Sequence, residues 1–308
     1  MTLARCQAAI SRATAPPGTV VVVDEPHGAG PAEARNHGVE VTDAEIIVFV
    51  DSDVEVHQDA FERIRARFDD DPRLAAVFGS YDDDPAATDL VSRFRNLLHH
   101  YVHHEGRGPV TTFWAGLGAV RRTAFLEVGG FDAKEYPVAS IEDIEFGMRL
   151  AEAGGRIEVD PTIQGKHLKQ WTLATMIQTD VLRRGIPWTA LLLRRRSAPR
   201  ELNLGWRHRL SSGAALAVLW GLTSRRPRVA VLASVSFVAL NTRFYSVLRR
   251  RGGRGLLAAG VGLHLLHHLA ALASVPPAIA QHVLRGANDA RSPGDRRVSQ
   301  ARDRSPRR

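Results

Sequence analysis

The chain has 308 residues, 44% of them apolar, a single cysteine and a formal net charge of +8. That length holds one large domain or two modest ones. The lone Cys6 excludes a disulfide framework and a cysteine-based zinc site, and fits a reducing, cytosol-facing compartment. Arginine crowds the last third, beside long apolar stretches and without interleaved stacking aromatics. The charge therefore suits an anionic membrane surface or a phosphate-bearing substrate rather than nucleic acid.

Residues 1–18 lack the charged-then-apolar pattern of a secretory leader. Residues 3–12 read as a helix. The continuous β-branched run 19–23 reads as a strand buried on both faces, ending at Asp24. The following loop, Gly28-Ala29-Gly30-Pro31, superficially resembles a dinucleotide fingerprint, but it lacks the third glycine and meets proline at once. Residues 31–39 are helix formers, and 46–50 form a second buried strand ending at Asp51. A helix over 58–68 is stopped by Pro72. A third strand covers 74–78 and an amphipathic helix 90–104. A strand over 118–121, a short helix over 123–128, a helix over 141–153 and a strand over 156–159 follow. Strands alternating with helices predict an α/β sheet, mixed but largely parallel. In such sheets ligands gather at the carboxyl ends of the strands, where Asp24 and Asp51 lie.

Six features carry possible chemistry. Asp51-Ser52-Asp53 is a DXD triplet after a hydrophobic strand. In extended geometry its two carboxylates point to one side and reach one hard cation, Mg²⁺ or Mn²⁺. A plain acidic turn gives the same tripeptide. Glu142 and Asp143 open a helix, where the dipole favours carboxylates in any case. The functional alternative is a base that takes a proton from an acceptor hydroxyl. Trp114-Ala115-Gly116-Leu117-Gly118 is a small-residue loop that lets a ligand approach the backbone, or a tight turn. His99, His100, His103 and His104 have metal-compatible spacing, but their apolar neighbours read better as an interfacial helix with polar edges. His167 follows the last strand and either plays a structural part or completes the cation site. The loop Gly28-Ala29-Gly30-Pro31, rejected above as a dinucleotide fingerprint, is the sixth.

In order, the segments TVVVVD, GPAEARNHG, IIVFVDSDV, FWAGLGAVRRTAFLEVGGFD, SIEDIEFGMRL and KHLKQWT resemble the family-two glycosyltransferases with the GT-A fold, over residues 20–190. The resemblance implies that Asp24 contacts the nucleotide base and that Arg35 and Asn36 pack under the nucleotide. It implies that Asp51 and Asp53 bind metal and diphosphate, and that Ala115 and Gly116 line the donor sugar. Asp143 is implied as the catalytic base with Glu142 beside it, and His167 as a further metal ligand. Inverting transfer by single displacement follows, with a divalent cation and a nucleotide-sugar donor. The family's opening strand, which grips the nucleotide, has no counterpart here, and the loop after Asp24 is short. A degenerate, non-catalytic membrane scaffold is thus the alternative reading. Processive members carry a QxxRW helix; Gln178, Arg183, Arg184 and Trp188 are present but their spacing departs from it, which implies a non-processive hexosyltransferase whose Arg183 or Arg184 can meet a donor phosphate.

Three apolar segments follow, 211–223, 229–240 and 255–275. The first two are each shorter than the ~30 Å hydrocarbon core, whereas the third can span it alone. Flanking arginines leave their orientation open. The expected organisation is a GT-A-like domain over 1–200, a membrane-associated helical region over 201–285 and a disordered basic tail over 286–308. The relatives imply a lipid-linked or envelope acceptor, with the catalytic domain at the cytoplasmic face of the cell membrane.

Overall fold

The computed structural model describes residues 2–24, 30–196, 202 and 205–291, with the backbone alone for 285–291. The α/β region runs α1 (Thr2–Arg12), α2 (Pro31–Glu40), β1 (Ile46–Val50), β2 (Val54–Val56), α3 (Ala60–Asp70), β3 (Leu74–Tyr81), α4 (Leu90–Glu105), β4 (Gly108–Val110), β5 (Leu117–Arg121), α5 (Arg122–Glu127), α6 (Glu142–Glu152) and β6 (Arg156–His167). Then come α7 (Leu173–Gln178), a π-helix (Thr179–Gly185), α8 (Ile186–Arg195), α9 (Trp206–Thr223), α10 (Pro227–Leu240), α11 (Thr242–Ala273) and α12 (Val275–Arg291).

The six-stranded sheet has the order β1-β5-β3-β6-β2, with β4 on β6. It is mixed, as the sequence suggests, but not largely parallel. Only β3 and β6 run parallel; the β1/β5, β3/β5, β2/β6 and β4/β6 pairs are antiparallel. Central β3 is buried along its whole length, which explains its unbroken apolar run. In β1 the burial alternates. Ile47 and Phe49 join a phenylalanine-rich core with Phe78, Phe113, Phe125, Phe131 and Phe146 on one face. Ile46, Val48 and Val50 meet α1 and α3 on the other.

The strand expected over 19–23 does not form. Among the described residues it pairs with no strand, and Val20, Val21 and Val22 are 51%, 41% and 42% exposed. A β-branched run becomes a buried strand only when a neighbour accepts its ladder, and β1 has just one strand partner, β5. Two strands are longer than expected: β3 runs on to Tyr81 and β6 to His167. α12 continues through Arg291, past the start expected for the tail at residue 286; residues 292–308 lie outside those described, as do residues 28 and 29 of the glycine loop.

The C-terminal helices pack on α4 through a core of Phe94, Leu97, Phe237, Phe244, Tyr245, Leu248 and Leu256. α9 and α10 form a hairpin; a Cβ at Gly221 would collide with the Ala230 backbone, so the small residue sets how closely the helices approach. The segment expected to span alone is the second half of α11, which kinks at Gly253 (φ 65°). His264 and His268 there face neighbouring helices, with Tyr245 Oη 3.2 Å from His264 Nδ1 and Ser212 Oγ 2.9 Å from His268 Nδ1.

Candidate active site

Three chain segments meet at the carboxyl end of β1. The first is the acidic triplet. Asp51-Ser52-Asp53 is a turn rather than extended chain, because the Val54 amide donates to the Asp51 carbonyl at 2.9 Å. The two carboxylates therefore diverge instead of sharing one side. Asp51 turns to Arg35, whose Nη2 donates to Oδ1 at 2.7 Å. Asp53 turns to β6, with its Oδ2 3.6 Å from His167 Nε2. Burial pushes the Asp53 carboxyl up, but His167 and Lys169 outweigh it and the net shift is downward.

The second segment is the small-residue loop. A Cβ at Gly116 would fall inside the Trp114 indole, so the residue has to be glycine for the loop to fold under its own tryptophan. The Gly116 carbonyl accepts from the Asp51 amide at 3.0 Å. One residue earlier, the Ala115 amide donates to Asp143 Oδ2 at 3.2 Å. The loop thus fixes the distance between the acidic turn and the third segment, the first turn of α6. There Asp143 also accepts from the Ile144 amide at 2.8 Å. Burial and the neighbouring Glu142 carboxylate raise Asp143 to about 6, against the pull of Arg35 and the Ala115 amide.

Arg35 joins the first and third segments. Its Nη1 donates to Glu142 Oε1 at 2.8 Å while Nη2 holds Asp51. Burial lowers the Arg35 pKa, but Asp51, Asp143 and Glu142 more than reverse this and the guanidinium stays charged. Glu142 is itself buried, and its second oxygen accepts from the Ser140 amide at 2.8 Å. It braces the site and does not face the cleft. Asn36 has a similar fate. Its amide donates to the Phe131 carbonyl at 2.8 Å and accepts from the Phe131 amide at 2.9 Å, so it ties α2 to the turn after α5.

His167 is buried and stacks on Tyr81 with ring centroids 4.0 Å apart. Tyr81 meets Trp114 edge-on at 4.9 Å, and His99 and His103 pack behind that indole. Burial holds His103 and His104 neutral, at about 4 each. His100 Nδ1 lies 2.9 Å from the Tyr81 carbonyl. Of the histidine row of α4, His99 and His103 thus support the Trp114 indole, while His100 and His104 line a separate cavity with Arg243 and Arg250. The cleft itself is lined by Arg5, Ser52, Asp53, Leu168, Lys169 and Gln170. Arg184, on the π-helix, acts electrostatically on Asp143 and Tyr81 and makes no hydrogen bond or ion pair among the described residues. Asp24 is exposed and joins none of these groups among the described residues.

The sequence did not single out Lys169, Tyr81 or Trp114 as working side chains. Lys169 stands two residues past His167, and its Nζ sits 4.4 Å from the Trp171 ring centroid. The cation-rich KHLK run was the available signal. Tyr81 gave none, because only the fold brings it under His167.

A model of glycosyl transferase family 2 matches residues 4–129. That stretch is similar to the family-two glycosyltransferases. Within that family match lie α1, the acidic turn, the small-residue loop and Arg35; α6 with Asp143 follows directly. Pre-mycofactocin glycosyltransferase of Mycobacterium tuberculosis is 29% identical over 163 residues, covering 49% of this chain and 34% of that protein. A probable polypeptide N-acetylgalactosaminyltransferase 8 of Homo sapiens is 26% identical over 170 residues, covering 50% of this chain and 26% of its own. The chain therefore spans about a third or less of the curated relatives' length. Among solved structures, the mannosyltransferase PcManGT of Pyrobaculum calidifontis, in complex with GDP-Man and Mn²⁺, aligns at 18% identity with a TM-score of 0.47, covering 80% of this chain and 66% of that one.

Proposed function

We propose that this chain transfers a sugar from a nucleotide-sugar donor to an acceptor hydroxyl with inversion, as a metal-dependent, non-processive hexosyltransferase. One observation carries the reading. Asp143 sits at a helix start, fixed by the Ala115 amide of the loop that also receives the Asp51 amide, with its pKa raised to about 6. A carboxylate in that range is ionised at neutral pH and basic enough to take a proton. As the acceptor oxygen attacks the anomeric carbon, its proton passes to Asp143. The bond from that carbon to the diphosphate oxygen breaks, and the nucleoside diphosphate leaves with the bonding pair.

The donor types suit a divalent cation, but only Asp53 and His167 are brought together; Asp51 turns to Arg35, and no three His, Cys, Asp or Glu side chains among the described residues are grouped to hold a metal ion. A cation held by Asp53 and His167 would take its remaining ligands from the donor phosphates and would neutralise charge on the leaving diphosphate. Lys169 and Arg184 add fixed positive charge on the same side, which is positioning and electrostatic catalysis rather than covalent chemistry.

The membrane part of the proposal rests on the α9–α10 hairpin. Residues 210–223 and 229–240 contain no charged side chain. α10 buries a single stripe of Ala230, Ala233 and Phe237, and leaves Val231, Leu232 and Val235 64%, 70% and 61% exposed. A helix apolar all round belongs in a core or in lipid. At its two ends, Trp206 lies under Arg209 and Trp220 under Arg226, the amphipathic pairing suited to a membrane interface. By length and composition, the helical stretch Thr242–Leu284 can also cross a bilayer. A lipid-linked or envelope acceptor presented at the cytoplasmic face of the cell membrane follows from this reading.

A non-catalytic scaffold is the second reading, favoured by exposed Asp24 and the unpaired run before it. Asp143→Asn separates the two. Transfer to a defined acceptor is abolished while nucleoside diphosphate binding persists if Asp143 is the base. Full turnover by that variant overturns the assignment, and binding with no turnover by the unaltered chain favours the scaffold.

A further inference from the structure

Asp180 opens the π-helix and is among the most deeply buried charged side chains, 2% exposed. Its two oxygens are taken by two different helices. Arg95 of α4 places Nη2 2.6 Å from Oδ1. His267 of α11 places Nδ1 2.7 Å from Oδ2. Arg95 Nη1 and His267 Nδ1 lie 3.4 Å apart, so the three groups form a closed knot. The Arg95 guanidinium also lies over the Trp171 ring at 5.4 Å, at the end of the loop that carries His167 and Lys169. Burial pushes the Asp180 carboxyl up, but His267 and Arg95 hold it at about 2. It is an ionised carboxylate with no route to the reacting atoms.

Arg184 stands four residues further along the same π-helix. It is exposed and, among the described residues, its side chain is bonded to nothing, while its charge is felt at Asp143, Tyr81 and Asp180. A long side chain with no partner of its own is placed by its backbone. A π-helix is rare, usually a single turn, and frequently found at functional sites. Here the ion-paired Asp180 ties it down one turn before Arg184.

We propose that Asp180 is a positioning residue: held between Arg95 and His267, it pins the π-helix so that Arg184 is presented to the donor's diphosphate. The knot has a second consequence. Because His267 belongs to α11, the C-terminal helical region and the cleft share one ion-paired contact, and displacement of α11 would displace Arg184. The inference rests on the reading of the cleft as a nucleotide-sugar site.

The test is a double-mutant cycle on the full chain, reading dissociation constants for UDP, GDP, dTDP and ADP with Mn²⁺ by calorimetry. Asp180→Asn is expected to weaken binding of the accepted nucleotide by about tenfold, the scale of one charge-assisted contact. Arg184→Ala should weaken it at least as much. The double variant should match Arg184→Ala alone, because Asp180 acts only through Arg184. Asp180→Glu should recover part of the loss. A merely structural role lowers Tm and leaves the Asp180→Asn effect undiminished in the Arg184→Ala background; that result, or an Arg184→Ala variant with unchanged affinity, overturns the proposal. If Asp180→Asn does not fold, His267→Gln loosens the same knot while leaving the Arg95–Asp180 pair, and the same cycle applies. If the unaltered chain binds none of the four nucleotides, the nucleotide-sugar reading falls and this inference with it.

Discussion

The two ends of the site that the resemblance implies are built to different standards. At the α6 end every charged group is committed: Arg35 bridges Asp51 and Glu142, Glu142 also takes the Ser140 amide, and Asp143 is held by the Ala115 amide. At the other end, Val20, Val21 and Val22 stand exposed in an unpaired segment, and Asp24 joins nothing among the described residues. The contrast separates two tasks. Charge stabilisation and proton transfer need groups fixed before the substrate arrives. Recognition of the nucleotide's base, the part the resemblance implies for Asp24, would tolerate a looser wall, because it adds affinity without lowering the chemical barrier.

The largest effect that would sharpen this contrast is Asp143→Asn. A lost general base costs 10²–10⁴-fold, so single-turnover transfer should fall by about three orders of magnitude, with calorimetric nucleotide binding within about twofold of the unaltered chain. Equal losses in both would move Asp143 from chemistry to binding and blur the division between the two ends.

Next is Arg35→Met. It keeps an unbranched apolar side chain but removes the guanidinium that lies over the Phe131 ring, and leaves the Asp51 and Glu142 carboxylates without their cation. Breaking a buried pair typically costs 3–5 kcal/mol. Asp51 is partly solvated, so about 2–3 kcal/mol of lost stability in urea unfolding is expected. A loss near zero would mean that this end is no more rigid than the other.

A smaller effect is a pH dependence. Asp143 in the folded protein titrates at about 6, above its ordinary value. As a base it works only when ionised, so log kcat/KM should rise with pH up to about 6 and then level off. Stability runs the opposite way. The folded state binds this proton more tightly than the unfolded one, so the Asp143 contribution is fully present below about pH 4 and is lost as pH rises through about 6. Asp180, at about 2, has the reverse sign: its contribution is present above about pH 4 and lost only as pH falls through about 2. A rate profile flat between pH 5 and 7 would remove Asp143 as the base.

Much of this was legible in the residues. Periodicity located β1, α4, α6, α9 and α10 to within a few residues, because each buries a stripe that matches its own repeat. The order of the acidic triplet, the small-residue loop and the Glu142-Asp143 pair gave the family. Strand direction was not legible: parallel pairing is inferred from alternating elements, and here β5 returns antiparallel between β1 and β3. The division of labour among the carboxylates was equally hidden. Asp51, Glu142 and Asn36 were expected to serve substrates, and all three are engaged by protein partners that lie 16 to 107 residues away in the chain. Long-range hydrogen bonds leave no periodic trace. Nor could the run 19–23 reveal its lack of a partner, since a buried strand and an uncovered one read alike until the neighbour is known.

The smallest effect bears on that run. Val21→Ser and Val22→Ser replace side chains that are 41% and 42% exposed. Substitutions at surface positions away from special contacts usually stay within about 0.5 kcal/mol, so each variant should unfold at nearly the same urea concentration as the unaltered chain. The same change inside a strand covered on both faces removes buried methyl groups and adds a hydroxyl, at a cost of about 2 kcal/mol or more. The measurement therefore distinguishes a loose wall from a covered one. A cost of that size at both positions would mean that another strand lies over residues 20–22 in solution and pairs with them. The two ends of the implied site would then be equally well built, and Asp24, now exposed, would be held at the end of a fixed strand like Asp51.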